Sequence, residues 1–204
     1  MVVYIKGTTE GGLHNRKAVT LRSKRTLTDC SMRLLSDTIL RGWTHVRHVP
    51  AGDAWHTASD SLTGAATAYG SPNNAAAAWS KKYDDAPFNE FLFATGDLSL
   101  WLQVTKDQAI GEQYDGKGRT IRRSSLSTKA STAIWYNRAA QAADPAISLK
   151  NHDDCTGTKG CMLYMEDSNA NNVKGMKDHD GADVYIRQVA DGNYDETLFT
   201  RAKL

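Results

Sequence analysis

Oxygen-bearing side chains are concentrated in residues 151–187, where acids, amides and glycines surround one short apolar run. Calcium binds about six to eight oxygens, mostly from carboxylates, amides and bent main chain. The sequence therefore predicts a calcium site in this stretch. Three clusters could converge on one ion: residues 151–154, residues 166–172, and the group Asp178, His179, Asp180 and Asp183. The alternative is a polar loop whose Asn and Asp side chains satisfy only the backbone of their own turns.

The same part of the chain carries groups that suit a sugar ligand. Sugar hydroxyls pair with planar polar side chains, and the C–H faces of a sugar ring stack on aromatic rings. Trp135 or Tyr164 would stack on the sugar, and amide side chains would donate hydrogen bonds. The predicted ligand-binding residues are Trp135, Tyr164, Asn169, Asn171 and His179. The alternative for each aromatic residue is a place in the core.

A second group of candidate metal ligands lies on the predicted strand Gly42–Val49. Side chains alternate between the two faces of a strand, so His45 shares a face with Trp43 while His48 points to the other face. This alternation argues against a metal shared by His45 and His48. His48 could instead approach His56 across the turn that follows the strand, and a structural role is the alternative for each histidine.

The sequence contains no familiar catalytic motif: it has no nucleophile elbow, phosphate-binding loop or zinc-protease pattern. Glu90 and Asp97 flank an apolar strand and could form the carboxylate pair of a glycoside hydrolase. The alternative is that these two acids end the strand in solvent. The sequence therefore favours binding over catalysis.

Composition limits the partners that this chain could have. It has 204 residues, 40% of them hydrophobic, and a formal net charge of +2, so it can form a core but has no strong basic bias toward nucleic acid. The sequence has no apolar run of about 18 residues, which predicts the absence of a membrane span. The first residues lack the pattern of a secretory signal.

The three cysteines leave two alternatives open. Cys155 and Cys161 flank a flexible loop that could close a disulfide between them, which would leave Cys30 unpaired. Such a bridge favours an oxidising setting, and we predict an extracellular or surface-exposed protein. The alternative is three reduced thiols in the cytosol.

Short strand-like runs separated by turn-forming residues predict a mainly β fold: a β-rich α+β domain of compact antiparallel sheets with long loops and one or two short helices. The predicted strands are Val2–Ile5, Ala18–Arg22, Gly42–Val49, Glu90–Thr95, Leu98–Thr105, Arg119–Ser124, Thr132–Asn137, Cys161–Glu166 and Ala182–Arg187. Glu90–Asp97 followed by Leu98–Thr105 predicts a hairpin that turns at Gly96-Asp97. The predicted helices are Thr26–Leu40 and Asn74–Lys82. Residues 1–204 are predicted to form a single domain, and residues 1–25 could form an N-terminal strand extension.

Two segments, Asp29–Arg33 (DCSMR) and Arg41–His48 (RGWTHVRH), contain a cysteine followed by Gly-Trp-Thr and a strand. With Cys30 and Gly42–Thr44 at the matching positions, they resemble the opening of the fibrinogen-related, lectin-like domain family. Residues 88–97 (FNEFLFATGD) could stand where that family has a glycine- and aromatic-rich strand. The resemblance implies a calcium-assisted recognition domain for glycans or acetylated groups. It implies a calcium held within Asp153, Asp154, Glu166 and Asp167.

Together these features predict a non-enzymatic recognition module. It would bind a glycan, a glycoconjugate or another polar surface ligand through the loops of residues 151–183, with calcium holding the loops in place. The first alternative is a structural subunit of a shell, fibre or other extracellular or virion assembly, in which aromatic residues face neighbouring copies. The second alternative is a polysaccharide hydrolase that uses Glu90 or Glu166.

Overall fold

The computed structural model describes residues 40–51, 60–65, 68–72, 74–110, 115–127, 129–136, 144–149, 162–164 and 179–190. Within these ranges the chain forms ten strands and one short helix. The elements in chain order are β1 Thr44–Val49, β2 Trp79–Ser80, β3 Glu90–Thr95, β4 Trp101–Thr105, α1 Lys106–Ala109, β5 Asp115–Ile121, β6 Arg123–Ser124, β7 Ser131–Tyr136, β8 Ala146–Ser148, β9 Met162–Tyr164 and β10 Ala182–Arg187.

The strands form two antiparallel sheets. The larger sheet has six strands in the order β2-β1-β10-β3-β4-β6, and the smaller has four in the order β5-β7-β8-β9. The neighbouring strands that pair in either sheet run antiparallel. The prediction of a β-rich fold of antiparallel sheets is therefore confirmed. Strands β3 and β10 have the bounds that the sequence predicted, and β3 and β4 form the predicted hairpin.

The two faces of the larger sheet are different, and we call them the inner and outer faces. The inner face carries apolar side chains such as Phe91, Phe93 and Val184, which share one core with residues of the smaller sheet. The outer face carries Leu92 and Tyr185 in a second, smaller cluster. This pattern follows from the period-two alternation of β3 and β10. Polar groups on β10 that alternate with Val184 therefore face outward.

The prediction of a helix over Asn74–Lys82 is wrong. The Asn74 side chain accepts a hydrogen bond from the backbone N–H of Ala76, which forms a local turn, and Trp79 then pairs with His48 in the sheet. Such side-chain to backbone bonds compete with helix formation, and tertiary pairing overrides the alanine propensity. The described helix instead begins after Thr105, whose hydroxyl accepts from the N–H of Gln108.

Some predicted elements lie outside the described residues. These are the strands Val2–Ile5 and Ala18–Arg22, nearly all of the helix Thr26–Leu40, and the cysteines Cys30, Cys155 and Cys161. Among the described residues, no helix is long and apolar enough to cross a membrane.

Candidate metal site

An irregularity in β1 brings two histidines to one face of the larger sheet. His45 lies opposite Tyr185 and His48 lies opposite Asp183, but Arg47 lies opposite Val184, so one extra residue, Val46, is inserted between them. A bulge of this kind shifts the alternation of side chains by one. The prediction that His45 and His48 point to opposite faces is therefore wrong, because it assumed a regular strand.

Both histidines meet the same carboxylate oxygen. The Nε2 atom of His45 lies 2.8 Å from Oδ1 of Asp183, and the Nδ1 atom of His48 lies 2.7 Å from the same oxygen. The three potential ligand atoms lie within 4.8 Å of one another. Of the described residues, these three form the only group of histidine, cysteine or acidic side chains arranged closely enough to hold one metal ion.

The second ring nitrogen of His48 is held by the backbone. Its Nε2 atom lies 3.1 Å from the carbonyl oxygen of Ala75, so both ring nitrogens face oxygens that can only accept. Without a metal, this arrangement suits an imidazolium that donates twice. With a metal on Nδ1, Nε2–H would still donate to Ala75, and a backbone carbonyl is a common partner of a ligating histidine.

The pKa values of His48 and Asp183 both shift in the direction that favours their charged forms. The hydrogen bond to Asp183 raises the pKa of His48 above its ordinary value, although burial opposes this change. Burial alone would raise the pKa of Asp183, but hydrogen bonds from His45 and His48 outweigh it and lower the pKa. The carboxylate is therefore ionised and available as a ligand at neutral pH.

Aromatic side chains fix the histidine rings. His45 stacks on Tyr185 with 4.5 Å between ring centroids, and Trp79 contacts His45 edge-on at 4.5 Å. Trp79 also lies parallel to His48 at 6.2 Å. Rings packed in this way have few rotamers available, so the two imidazoles are held in place before any ligand arrives.

The three side chains open onto a pocket of about 340 Å³. This volume is near the lower end of the range for small-molecule sites, about 300–1,000 Å³. One wall is made by the turn before β10, which packs closely against Gly96. The lining residues are His45, His48, Ala51, Ala75, Trp79, Gly96, Asp180 and Asp183.

Only part of the predicted calcium ligand set reaches this pocket. Asp180 lies at its rim and is exposed, whereas Asp183 lies inside it. The predicted ligands Asp153, Asp154, Glu166 and Asp167 lie outside the described residues, as do the predicted sugar-binding residues Asn169 and Asn171.

The two predicted stacking residues are core side chains. Trp135 and Tyr164 are both 0% exposed and belong to the core between the sheets. A ring without an accessible face cannot stack on a sugar, so this burial corrects the expectation for both. The Tyr164 hydroxyl donates to Asp144 at 2.9 Å, which accounts for a tyrosine in this position.

His179, also a predicted ligand-binding residue, belongs to a separate group with Asp97 and Ser99. The Nδ1 atom of His179 lies 2.8 Å from Oδ2 of Asp97 and 3.0 Å from the Ser99 hydroxyl. In a catalytic triad the serine and the acid contact different ring nitrogens. Here they share one, and the Ser99 hydroxyl donates to Asp97 Oδ1 at 2.7 Å. The group therefore stabilises a turn and is not arranged as a triad.

Glu90 and Asp97 do not form a carboxylate pair. They lie at opposite ends of β3, and a strand of that length spans about 17 Å, whereas glycosidase carboxylates lie about 5–10 Å apart. Glu90 is also 1% exposed, so the expectation that it ends the strand in solvent is wrong. It is buried because Arg187 and Gln103 hydrogen-bond one oxygen and Arg122 lies 2.9 Å from the other.

The donor set indicates which ions would fit. Two imidazole nitrogens and one carboxylate suit zinc, iron and similar divalent transition metals, whereas calcium prefers oxygen ligands throughout. Three protein ligands also leave coordination positions open, as in catalytic zinc sites. No family model, curated protein or solved structure matches this chain.

Proposed function

We propose that this protein binds a divalent transition-metal ion through His45, His48 and Asp183 and uses the open positions of that ion to recognise a polar ligand. The observation that carries the proposal is the convergence of both histidines on one oxygen of Asp183. The proposal keeps the recognition role predicted from the sequence and replaces the calcium with a metal that accepts nitrogen ligands.

The surroundings of the three side chains support a metal over a purely structural cluster. The ligand atoms face a pocket, His48 has a carbonyl partner for its remaining N–H, and aromatic rings fix both imidazoles. These are the features that orient ligands in metal sites. An ion pair with a purely structural role would not require a pocket next to it.

The pocket favours a ligand that offers oxygen atoms to the metal. Its size suits one small polar group, such as a sugar unit or the tip of a larger glycan. The fully buried Trp79 has no open ring face, so metal coordination and hydrogen bonds would provide most of the recognition. A glycan array probed with the zinc-loaded and the metal-free protein would identify the ligand.

Thermal melts of EDTA-treated protein, with and without added metal ions, test whether the protein binds a metal. An ion that binds only the folded state stabilises it by about 2.7 kcal/mol at one hundred times its Kd. For a chain of this size that corresponds to a rise in Tm of roughly 5–10 °C. We expect this rise with Zn²⁺ or Co²⁺ at matched concentrations, and we expect the effect of Zn²⁺ to exceed that of Ca²⁺.

The chain offers a matched control for this experiment. His45 and His179 are each about one third exposed, at 31% and 33%, and each contacts a carboxylate at 2.8 Å. His45→Ala should abolish the rise in Tm with zinc, whereas His179→Ala should retain it. No rise in the unaltered protein, or an equal rise in both variants, would contradict the proposal. A rise with Ca²⁺ that survives His45→Ala would instead support the calcium site predicted from residues 151–183.

A further inference from the structure

Arg47 lies between the two histidines in sequence but points the opposite way, into the core between the sheets. It is 1% exposed, and three side chains hold its guanidinium. Nε donates to the Ser80 hydroxyl at 3.0 Å, Nη1 to Asp144 at 2.6 Å, and Nη2 to both oxygens of Asp60 at 2.6–2.7 Å. We call Arg47, Asp60 and Asp144 the buried ion cluster.

The orientation of Arg47 and that of His48 are linked. Along a regular strand starting from the outward His45, Val46 would point in, Arg47 would point out and His48 would point in. In the structure Val46 and Arg47 both point inward and His48 points outward. A charged side chain prefers water to an apolar core unless it is paired there. The bulge is therefore favoured only if Arg47 finds partners inside.

The partners come from outside β1. Asp60 precedes β2, and Asp144 precedes β8 in the smaller sheet. Asp144 is itself fixed, because its Oδ1 accepts from the backbone N–H groups of Asp60 and Leu62 at 3.2 and 3.1 Å. The carboxylates that hold Arg47 inward therefore lie on the inner side of the larger sheet, opposite the face that carries the candidate metal site.

We infer that Asp60 and Asp144 are positioning residues for the His45–His48–Asp183 site: by holding Arg47 inside, they maintain the bulge that turns His48 toward Asp183. This inference rests on the proposed function for its link to metal binding. Its structural part, the orientation of His48, can be measured without a metal.

The main test removes both carboxylates. In Asp60→Asn with Asp144→Asn, Arg47 has no charged partner inside and is expected to turn outward, which moves His48 toward the core. Zinc affinity, measured by competition with a chromophoric chelator, should fall by at least about tenfold, the usual effect of losing a residue that orients a metal ligand. The single variant Asp144→Asn leaves Asp60 to pair with Arg47, so its loss of zinc affinity should be smaller than that of the double variant.

A rescue variant separates positioning from general destabilisation. Adding Arg47→Met to the double variant places an apolar side chain at position 47, which prefers the core and should restore the bulge and zinc affinity. Adding Arg47→Ser instead provides no such preference and should not restore them. If the double variant does not fold, the zinc affinities of the variants with Arg47→Met and Arg47→Ser are compared with each other to test the inference. Neither of these variants contains a buried charge from the cluster.

Nitrogen-15 NMR of the histidine rings in metal-free protein gives the independent readout. His48 should lose the signature of its contacts with Asp183 and Ala75 in the double variant and regain it on adding Arg47→Met. Unchanged His48 signals in the folded double variant, or equal signals in the Met and Ser variants, would overturn the inference whether or not zinc binds. Absence of zinc binding in the unaltered protein would overturn the proposed function alone.

Discussion

Asp183 is the residue that both His45 and His48 contact, and the conformation of the backbone just before it is fixed by Gly181. Gly181 has a φ of +84°, and a Cβ atom at this position would collide with the carbonyl oxygen of Val49. Asp180, with a φ of +59°, also lies in the left-handed region. The turn therefore requires a residue without a side chain at position 181.

We predict that Gly181→Ala lowers the free energy of unfolding by more than about 2 kcal/mol, because the backbone strain and the collision both contribute. Gly42→Ala is the matched control: its φ is +79°, but nothing lies within 4 Å of the added Cβ. Only the strain, about 1 kcal/mol, should apply there. Urea unfolding of both variants measures the difference, and equal losses would show that the contact with Val49 is unimportant.

At the scale of elements, the outer face of the larger sheet is held by Glu90. Arg187 on the neighbouring β10 donates to Glu90 at 2.7 Å, and Gln103 on β4 donates at 2.8 Å. Arg187 also lies over the ring of Trp43, 4.4 Å from its centroid. A buried carboxylate thus connects the central strands on the face that carries the candidate metal site.

We predict that Glu90→Gln lowers the free energy of unfolding by about 3 kcal/mol, because it leaves Arg187 and Arg122 near an amide that cannot balance their charge. Asp84→Asn is the control, since Asp84 pairs with Lys82 at 3.4 Å on the exposed surface. An exposed pair contributes about 0–1 kcal/mol. A loss for Glu90→Gln no larger than that of the control would mean that Glu90 makes no net contribution.

At the scale of the whole molecule, the buried ion cluster joins the two sheets and responds to pH. Burial raises the pKa of Asp144 from 3.8 to about 7, although Arg47 opposes the change and the neighbouring Asp60 adds to it. A group whose pKa is raised by folding stabilises the folded state fully at pH below its unfolded pKa. That contribution is lost as the pH rises through the folded pKa.

We therefore expect the free energy of unfolding to fall between about pH 4 and pH 7, and the part due to Asp144 could reach about 4 kcal/mol over the full titration. Asp144→Asn removes the titrating group, so it should flatten this dependence. Urea unfolding at several pH values tests this. Parallel pH curves for the two proteins would show that another group is responsible.

Much of the fold could be predicted from local pattern. Alternating apolar residues and turn formers identified β3 and β10 with their bounds, because each strand has one face in the core. Short elements were harder to predict, because β2 and β8 have only two and three residues, too few to show a periodicity. Asn74–Lys82 was misassigned because alanine propensity is weaker than tertiary pairing.

The candidate site could be predicted from the sequence only in part. The sequence drew attention to Asp183 and, separately, to His45 and His48, but strict alternation argued against joining the histidines. The one signal that could have revealed the bulge is the sequence Val46-Arg47-His48. In a regular strand that begins with an outward His45, Arg47 would point outward and His48 inward, which is the reverse of what the structure shows.

The sequence by itself determined the β-rich class, the antiparallel hairpin and the residue types available for chemistry, because these depend on neighbours along the chain. Tertiary structure alone decided which groups meet. His45 and His48 reach Asp183 across 138 and 135 residues, and Arg47 reaches Asp144 across 97. Burial decided the orientation of the β1 side chains. The carboxylates of Asp60 and Asp144 in the core make it favourable for Arg47 to point inward, and that preference sets the register of β1.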